Sequence, residues 1–224
     1  MLTVHHLENS RSQRILWLLE ELGVPYEIQR YARDPKTMLA PPSLKKVHPL
    51  GKSPVVTDGD ATLAESGAIV EYLVETYGKG RLVPERGTEA HRRYTFWLHY
   101  AEGSAMPPLL LKLIFDKIET GPVPFFIRPI AKAISQKVKS AFITPQLTTH
   151  FDFMEAELGK STWFAGDDLT AADIQMSFPL EAGQARGQVD GSRPKLRAFL
   201  ERIHARPAYA RAIERGGKYD FGGD

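Results

Sequence analysis

Along the first third of the chain the spacing of apolar positions changes period several times. Leu2 to Leu7 is a short β-prone stretch. Ile15, Leu16, Leu18, Leu19 and Leu22 then recur at helical spacing, stopped by Gly23 with Pro25 beyond. Tyr26 to Tyr31 alternates as a second strand. Residues 34–47 predict a loop holding a short helix broken at Pro41-Pro42. Pro54-Val55-Val56-Thr57 and Ala61-Thr62-Leu63 flank Asp58-Gly59, a strong hairpin-turn signal, and a helical run through Ala68, Ile69, Tyr72 and Leu73 follows. The predicted order is βαβαββα.

Strand patterns stop at a linker rich in Gly78, Gly80, Pro84 and Gly87. Beyond it Thr88 predicts the cap of a long helix through Tyr94, Trp97, Leu98 and Ala101, kinked at Pro107-Pro108, resuming from Leu110 to Ile118 and broken at 120–124. A second long helix is expected over about 127–158 with a bend at Pro145. Shorter ones are expected near 171–186, 194–204 and 207–215, with Pro194 and Pro207 where a first helical turn starts. The expected organisation is an α/β part at 1–78, a linker at 79–87 and an all-helical part at 88–224.

With 224 residues the chain exceeds the usual domain of roughly 100–150, so one large or two modest cores are expected. Lys+Arg 29 against Asp+Glu 27, with no block of like charge and no aromatic-interleaved basic patch, gives no reason to expect nucleic acid as a partner. His5, His6 and Glu8 stand where a signal peptide has its apolar core. Pro107, Pro108 and Lys112 keep the run from Leu109 to Phe115 well short of the ~20 residues of a spanning helix, so a cytosolic protein without a membrane partner is expected. The absence of cysteine says more: no disulfide, thiolate nucleophile or Cys-x-x-Cys centre is possible. Any sulfur chemistry falls on a thiol that the substrate brings.

Two stretches suit an extended peptide ending in carboxylates. In Lys52-Ser53-Pro54-Val55 the proline has no N–H for a sheet ladder, and an X–Pro bond adopts cis more readily than other peptide bonds, so Ser53 is left with backbone groups to offer a ligand. In Glu65-Ser66-Gly67 a helix starts, with free N–H groups and a positive dipole end for an anion. Taken singly, Pro54 also reads as an edge-strand proline and Ser66 as an ordinary N-cap. Further along, Thr170 and Asp173 form an S/T-x-x-D box. The three aspartates 167, 168 and 173 lack EF-hand spacing and a terminal glutamate, which favours a buried structural cap over a calcium loop.

From Gly51 to Tyr77 this order resembles the glutathione-binding half of the glutathione transferases, and Trp163-Phe164-Ala165-Gly166-Asp167-Asp168-Leu169-Thr170-Ala171-Ala172-Asp173 resembles the capping motif of their helical domain. The start His5-His6-Leu7-Glu8-Asn9-Ser10-Arg11 is similar to that of fungal and bacterial serine-type members, so the resemblance covers essentially the whole chain. It implies an α+β thioredoxin-like domain, with parallel outer and antiparallel inner strand pairings, followed by an all-α domain.

It also implies glutathione as co-substrate without a metal, a small hydrophobic electrophile, and a homodimer. Ser10 would send its hydroxyl to the glutathione sulfur and favour thiolate; Ser12 and Asn9 are alternatives, and Ser10 or Ser12 could instead only cap the first helix. Glu65 would accept from the γ-glutamyl amine and Ser66 would donate to the adjacent carboxylate. Ser53, before Pro54, would pair through its backbone with the cysteinyl unit. Lys52, helped by His48, would meet the glycyl carboxylate, although both also fit a solvated surface. Many members carry valine where this chain has Ser53.

Tyr94, Trp97, Met106, Leu110 and Phe115 are candidates for the electrophile site, but such a stripe equally describes core. The segment 122–126 reads as a lid or a subunit contact. The activity implied is conjugation. Reduction of organic hydroperoxides, or a scaffold that has lost catalysis, stands beside it.

Overall fold

Four strands, ten α-helices and two π-helical turns make up the regular structure of residues 1–122 and 124–222, which the computed structural model describes. The N-terminal elements are β1 (Leu2–Leu7), α1 (Ser12–Leu22), β2 (Glu27–Tyr31), α2 (Pro42–Lys45), β3 (Val55–Asp58), β4 (Ala61–Ala64) and α3 (Ser66–Tyr77). This is the expected βαβαββα order. The sheet runs β2-β1-β3-β4. β1 pairs in parallel with β2, Val4 opposite Ile28, and antiparallel with β3, Val4 opposite Val56; β3 and β4 form the antiparallel hairpin. Only one of the outer pairs is therefore parallel, because a two-residue hairpin joins only antiparallel strands.

Helix α1 shows why the sheet is covered. Ile15, Leu16, Leu18 and Leu19 are fully buried, each contributing roughly 1.5–3 kcal/mol, and Gly23 ends the helix in the left-handed region with its N–H on the Leu19 carbonyl. Pro41 and Pro42 start α2 rather than break it, since proline costs nothing in a first turn whose N–H groups are orphaned anyway. The Ser53–Pro54 peptide is cis.

From Glu89 on, regular structure among the described residues is helical: α4 (Glu89–Tyr100), α5 (Met106–Thr120), α6 (Arg128–Val138), α7 (Thr144–Glu157), α8 (Ala171–Gln184), α9 (Pro194–His204) and α10 (Pro207–Gly216). Two breaks fall elsewhere than the prolines suggest. Wider π-helical turns at Ala101–Ala105 and Lys139–Ile143 separate α4 from α5 and α6 from α7, and Pro107, Pro108 and Pro145 sit in the first turn of the helix that follows. Of the segment 122–126, Val123 lies outside the described residues; Phe125 and Phe126 are exposed.

Buried helix α8 is capped as expected. Asp173 is fully buried; its Oδ2 accepts from the Thr170 N–H and hydroxyl, and its Oδ1 from the Phe164 N–H, all at 2.8 Å. The carboxylate thus ties the turn at Trp163–Gly166 to the helix start. The two parts of the chain are held together through α1: Glu20 pairs with Arg211 and Arg215 of α10, and Glu21 with Arg206. Among the described residues no helix is long and apolar enough to cross a membrane.

Candidate active site

Where β1 ends, the chain turns through Glu8-Asn9-Ser10-Arg11 into α1. Asn9 adopts φ 49°, and Arg33 holds the turn from below, donating to the carbonyls of Glu8 (3.0 Å) and Asn9 (2.9 Å). Ser10 is 6 % exposed and opens onto a cavity of about 760 Å³ shared with Arg11, Lys52, Ser53, Leu110 and Phe178. A second cavity, of about 260 Å³, adjoins it. His48, Lys52, Ser53, Pro54, Glu65 and Ser66 line it, together with Arg11 and Glu102. Arg11, Leu50, Lys52 and Ser53 line both, so all seven residues singled out from the sequence border one continuous groove.

Ser53 has a local reason for its orientation. Val55 is the last β3 residue opposite β1, facing His5, and Pro54 cannot supply the next rung. The Ser53 hydroxyl does so instead, accepting from Leu7 N–H (3.3 Å) and donating to the His5 carbonyl (3.1 Å). A valine could not. Among the described residues no hydrogen bond engages the Ser53 backbone, which remains available to a ligand.

Glu65 has φ 70° and ψ 121°, a conformation that costs a non-glycine residue on the order of 1–3 kcal/mol and that clusters at ligand clamps. Glu65, not Ser66, is the N-cap, and among the described residues no side chain caps α3. The first N–H groups are therefore left for a ligand, with Ser66 as the first helical residue. Lys52 and Glu65 are exposed, and His48 is half-buried.

The three residues weighed for the thiol contact differ in their surroundings. Both ends of the Asn9 amide are engaged by Asp220, at 2.7 and 2.8 Å. Ser12 is fully buried, its hydroxyl 2.9 Å from His6 Nδ1 and 3.3 Å from the Leu7 carbonyl. Ser10 accepts the Ser12 N–H at 3.2 Å, so it does help to cap α1, and its hydroxyl lies 2.8 Å from that of Ser12 and 3.4 Å from that of Ser53. Of the three, only Ser10 and Asn9 line the cavity.

Sequence reasoning missed a cluster of charges at the junction of the two cavities. Glu102, on the π-helical turn, pairs with Arg14 and, at 2.9 Å, with Arg11. Arg14 is buried and also donates to the Gln175 carbonyl (2.6 Å). Burial opposes the charge on Glu102, but Arg14 and Arg11 together hold its carboxyl below the usual range. The signal was an arginine on the apolar face of α1, which has to find a partner when buried. Of the five candidates for the larger cavity, Leu110 lines it, whereas Tyr94, Trp97 and Met106 are buried and Phe115 packs on the core. Trp97 stacks against Phe153 and packs at a tilt on Phe164. Phe178 lines the cavity instead, with the Arg11 guanidinium 5.3 Å above its ring.

Known proteins share this architecture. The family description "Glutathione S-transferase, N-terminal domain" matches residues 1–75, and "Glutathione S-transferase, C-terminal domain" matches 116–207. The chain is 37 % identical to Glutathione S-transferase 3 of Schizosaccharomyces pombe over 215 residues, 96 % of this chain and 88 % of that one. It is 34 % identical to Glutathione S-transferase 1 of Saccharomyces cerevisiae, covering 96 % and 95 %. Among solved structures it resembles a glutathione S-transferase of Actinobacillus pleuropneumoniae with a TM-score of 0.77 at 35 % identity, covering 99 % and 95 %.

Proposed function

Because this chain belongs to the glutathione S-transferase family, we propose that it activates the thiol of bound glutathione for attack on hydrophobic electrophiles, with Ser10 as the activating donor. The observation that carries this is the continuity of the groove: an uncapped helix start behind Glu65, the unbonded backbone of Ser53 and the Ser10 hydroxyl follow one another along it. That sequence of groups matches the ends and the middle of a γ-glutamyl tripeptide. Glu65 accepts from the ligand's ammonium and Ser66 donates to the carboxylate beside it. Ser53 pairs with the cysteinyl unit, while Lys52 and His48 face the glycyl carboxylate.

The Ser10 hydroxyl donates to the sulfur and stabilises its negative charge; it is not a nucleophile. The nucleophile is the ligand's own thiolate, since the chain has no cysteine. The thiolate carbon–sulfur bond forms as the electrophile's leaving group departs or its double bond takes up a proton. The electrophile fits the larger cavity, against Leu110 and Phe178. This reading includes a cytosolic homodimer, supported by the exposed rings of Phe96 and Phe153, which light scattering tests. Calorimetric titration with glutathione, followed by turnover on a panel of aryl halides, enals and organic hydroperoxides, tests the activity; binding without turnover on any of them would favour a scaffold.

A further inference from the structure

At the junction of the two cavities two guanidiniums share one carboxylate. Arg14 and Arg11 both pair with Glu102, which leaves the cluster one positive charge in surplus. Arg14 is buried, its terminal nitrogens on Glu102 and on the Gln175 carbonyl. Arg11 lines both cavities, with 34 % of its side chain exposed. Its Nε donates to the two Glu102 oxygens at 2.9 and 3.1 Å. Among the described residues no protein group accepts from its two terminal nitrogens, which carry the rest of its N–H groups. Glu102 holds the guanidinium on one side, and on the other stands the Phe178 ring, which lines the larger cavity and not the smaller. The other cations bordering that cavity are placed differently. Arg33 spends all three nitrogens on the carbonyls of Glu8, Asn9 and Met38, and Lys45 and Lys52 are exposed.

We infer that Arg11 is the specificity-determining residue of the electrophile site, and that it selects α,β-unsaturated carbonyl compounds by donating to their carbonyl oxygen. This deepens the conjugation proposed above and rests on it, whichever residue activates the thiol. A charged donor with unfilled N–H groups beside an apolar wall is satisfied by an oxygen that the substrate brings. In the addition, the sulfur lone pair forms the C–S bond at the β-carbon, the C=C pair shifts toward the carbonyl, and the oxygen takes the negative charge. A proton from solvent then lands on the α-carbon, replacing the one that the glutathione thiol gave up, and the product is a thioether. Arg11 meets the oxygen before attack and binds it more strongly as the enolate, so its contribution is greatest in the transition state. When a saturated halide is attacked, the charge departs on a diffuse halide ion. Such an ion is a weaker acceptor, and Arg11 assists that reaction less.

The test is the ratio of kcat/KM for cinnamaldehyde to that for benzyl chloride, measured on one preparation at saturating glutathione and fixed pH. The same thiolate attacks both, so changes in folded fraction, glutathione binding and thiolate fraction cancel. Arg11→Met is expected to lower the ratio by about tenfold or more, the loss of one charge-assisted hydrogen bond, and Arg11→Lys, a cation without the planar fork, to lower it less. A ratio like the parent's overturns the assignment. The thiolate titration of bound glutathione and the KM for glutathione then tell whether Arg11 serves the sulfur or a carboxylate of the tripeptide. A parent that turns over benzyl chloride alone overturns it as well. In a parent that accepts cinnamaldehyde alone, the same loss is read on that rate per thiolate formed, and its absence overturns the assignment. A parent that binds glutathione and turns over neither compound removes the conjugation reading itself, and the role of Arg11 with it.

Discussion

Asn9 and Asp220, 211 positions apart in the chain, exchange two hydrogen bonds: the Asn9 amide donates to the Asp220 carboxylate at 2.8 Å, and the Asp220 N–H donates to the Asn9 oxygen at 2.7 Å. The C-terminal segment is thereby fastened to the turn that carries Ser10. Tyr219 anchors the same segment from the other side, donating to Glu181 at 2.5 Å within the helical core. Asn9 holds φ 49°, a conformation asparagine tolerates better than most residues, and the reciprocal pair fixes it.

The clasp predicts that Asp220→Ala loosens the Ser10 turn without touching the glutathione ends. The substitution removes the bond to the carboxylate and keeps the one donated by the backbone N–H; one hydrogen bond is worth about 0.5–1.5 kcal/mol, so kcat is expected to fall by severalfold while glutathione affinity changes little. Steady-state kinetics with glutathione varied check this. A large loss of glutathione affinity with kcat intact would mean that the tail belongs to the binding end of the groove.

Glutathione retention depends on the start of α3. Replacing Glu65 and Ser66 together by alanine is expected to abolish retention on immobilised glutathione. Losing two charge-assisted hydrogen bonds of roughly 1.5–3 kcal/mol each weakens binding by more than a hundredfold. A folded double variant that is still retained would move the site elsewhere.

Glu102→Gln leaves the buried Arg14 without the carboxylate that pairs with it. Removing one partner of a buried pair typically costs about 3–5 kcal/mol, and the partial exposure of Glu102 places the expected loss nearer the lower figure. Urea unfolding measures it. A midpoint like that of the parent would show that Arg14 is satisfied by the Gln175 carbonyl alone.

Asp173 yields a pH dependence of definite sign. Burial lifts its carboxyl from 3.8 to about 6, against the three hydrogen bonds it accepts, so between those values the native state keeps a proton that the unfolded chain has lost. Stability from this group is greatest below pH 4, declines as pH rises to 6 and is level above. Asp173→Asn does not titrate. The stability gap between parent and variant is expected to narrow from pH 4.5 to pH 7 by about 2 kcal/mol, out of the ~3 kcal/mol that the full shift represents. A gap that widens over that range would mean that the hydrogen bonds outweigh burial.

Features set by neighbouring residues were legible from the chain. Gly23 ends α1, Asp58-Gly59 turns the hairpin, and Thr170 with Asp173 caps α8 because each acts within a few residues of itself. The π-helical turn carrying Glu102 was not legible, since it inserts into a helix whose apolar pattern continues through it. Periodicity told which residues of α4 and α5 face inward, yet not that Tyr94 and Trp97 meet other helices while Leu110 meets the cavity. Ser53 read as a departure from a common valine; only the missing rung beside Pro54 gives its hydroxyl a task. The partnership of Asn9 with Asp220 has no local signature at all.

Whether Ser10 activates the thiol is decided by the absorbance titration of thiolate in the glutathione complex of Ser10→Ala beside that of the parent. A free thiol titrates near ~8.5, so only a few per cent is thiolate at neutral pH, and a midpoint lowered by ~2 units in the parent corresponds to ~2.7 kcal/mol of preferential stabilisation. Ser10→Ala is expected to bind glutathione as well as the parent at a pH where thiol dominates, to titrate back toward ~8.5, and to conjugate correspondingly more slowly. If Ser10→Ala titrates like the parent while Ser12→Ala or Asn9→Ala carries the upward shift, Ser10 only caps α1 and the activating donor lies at the other position.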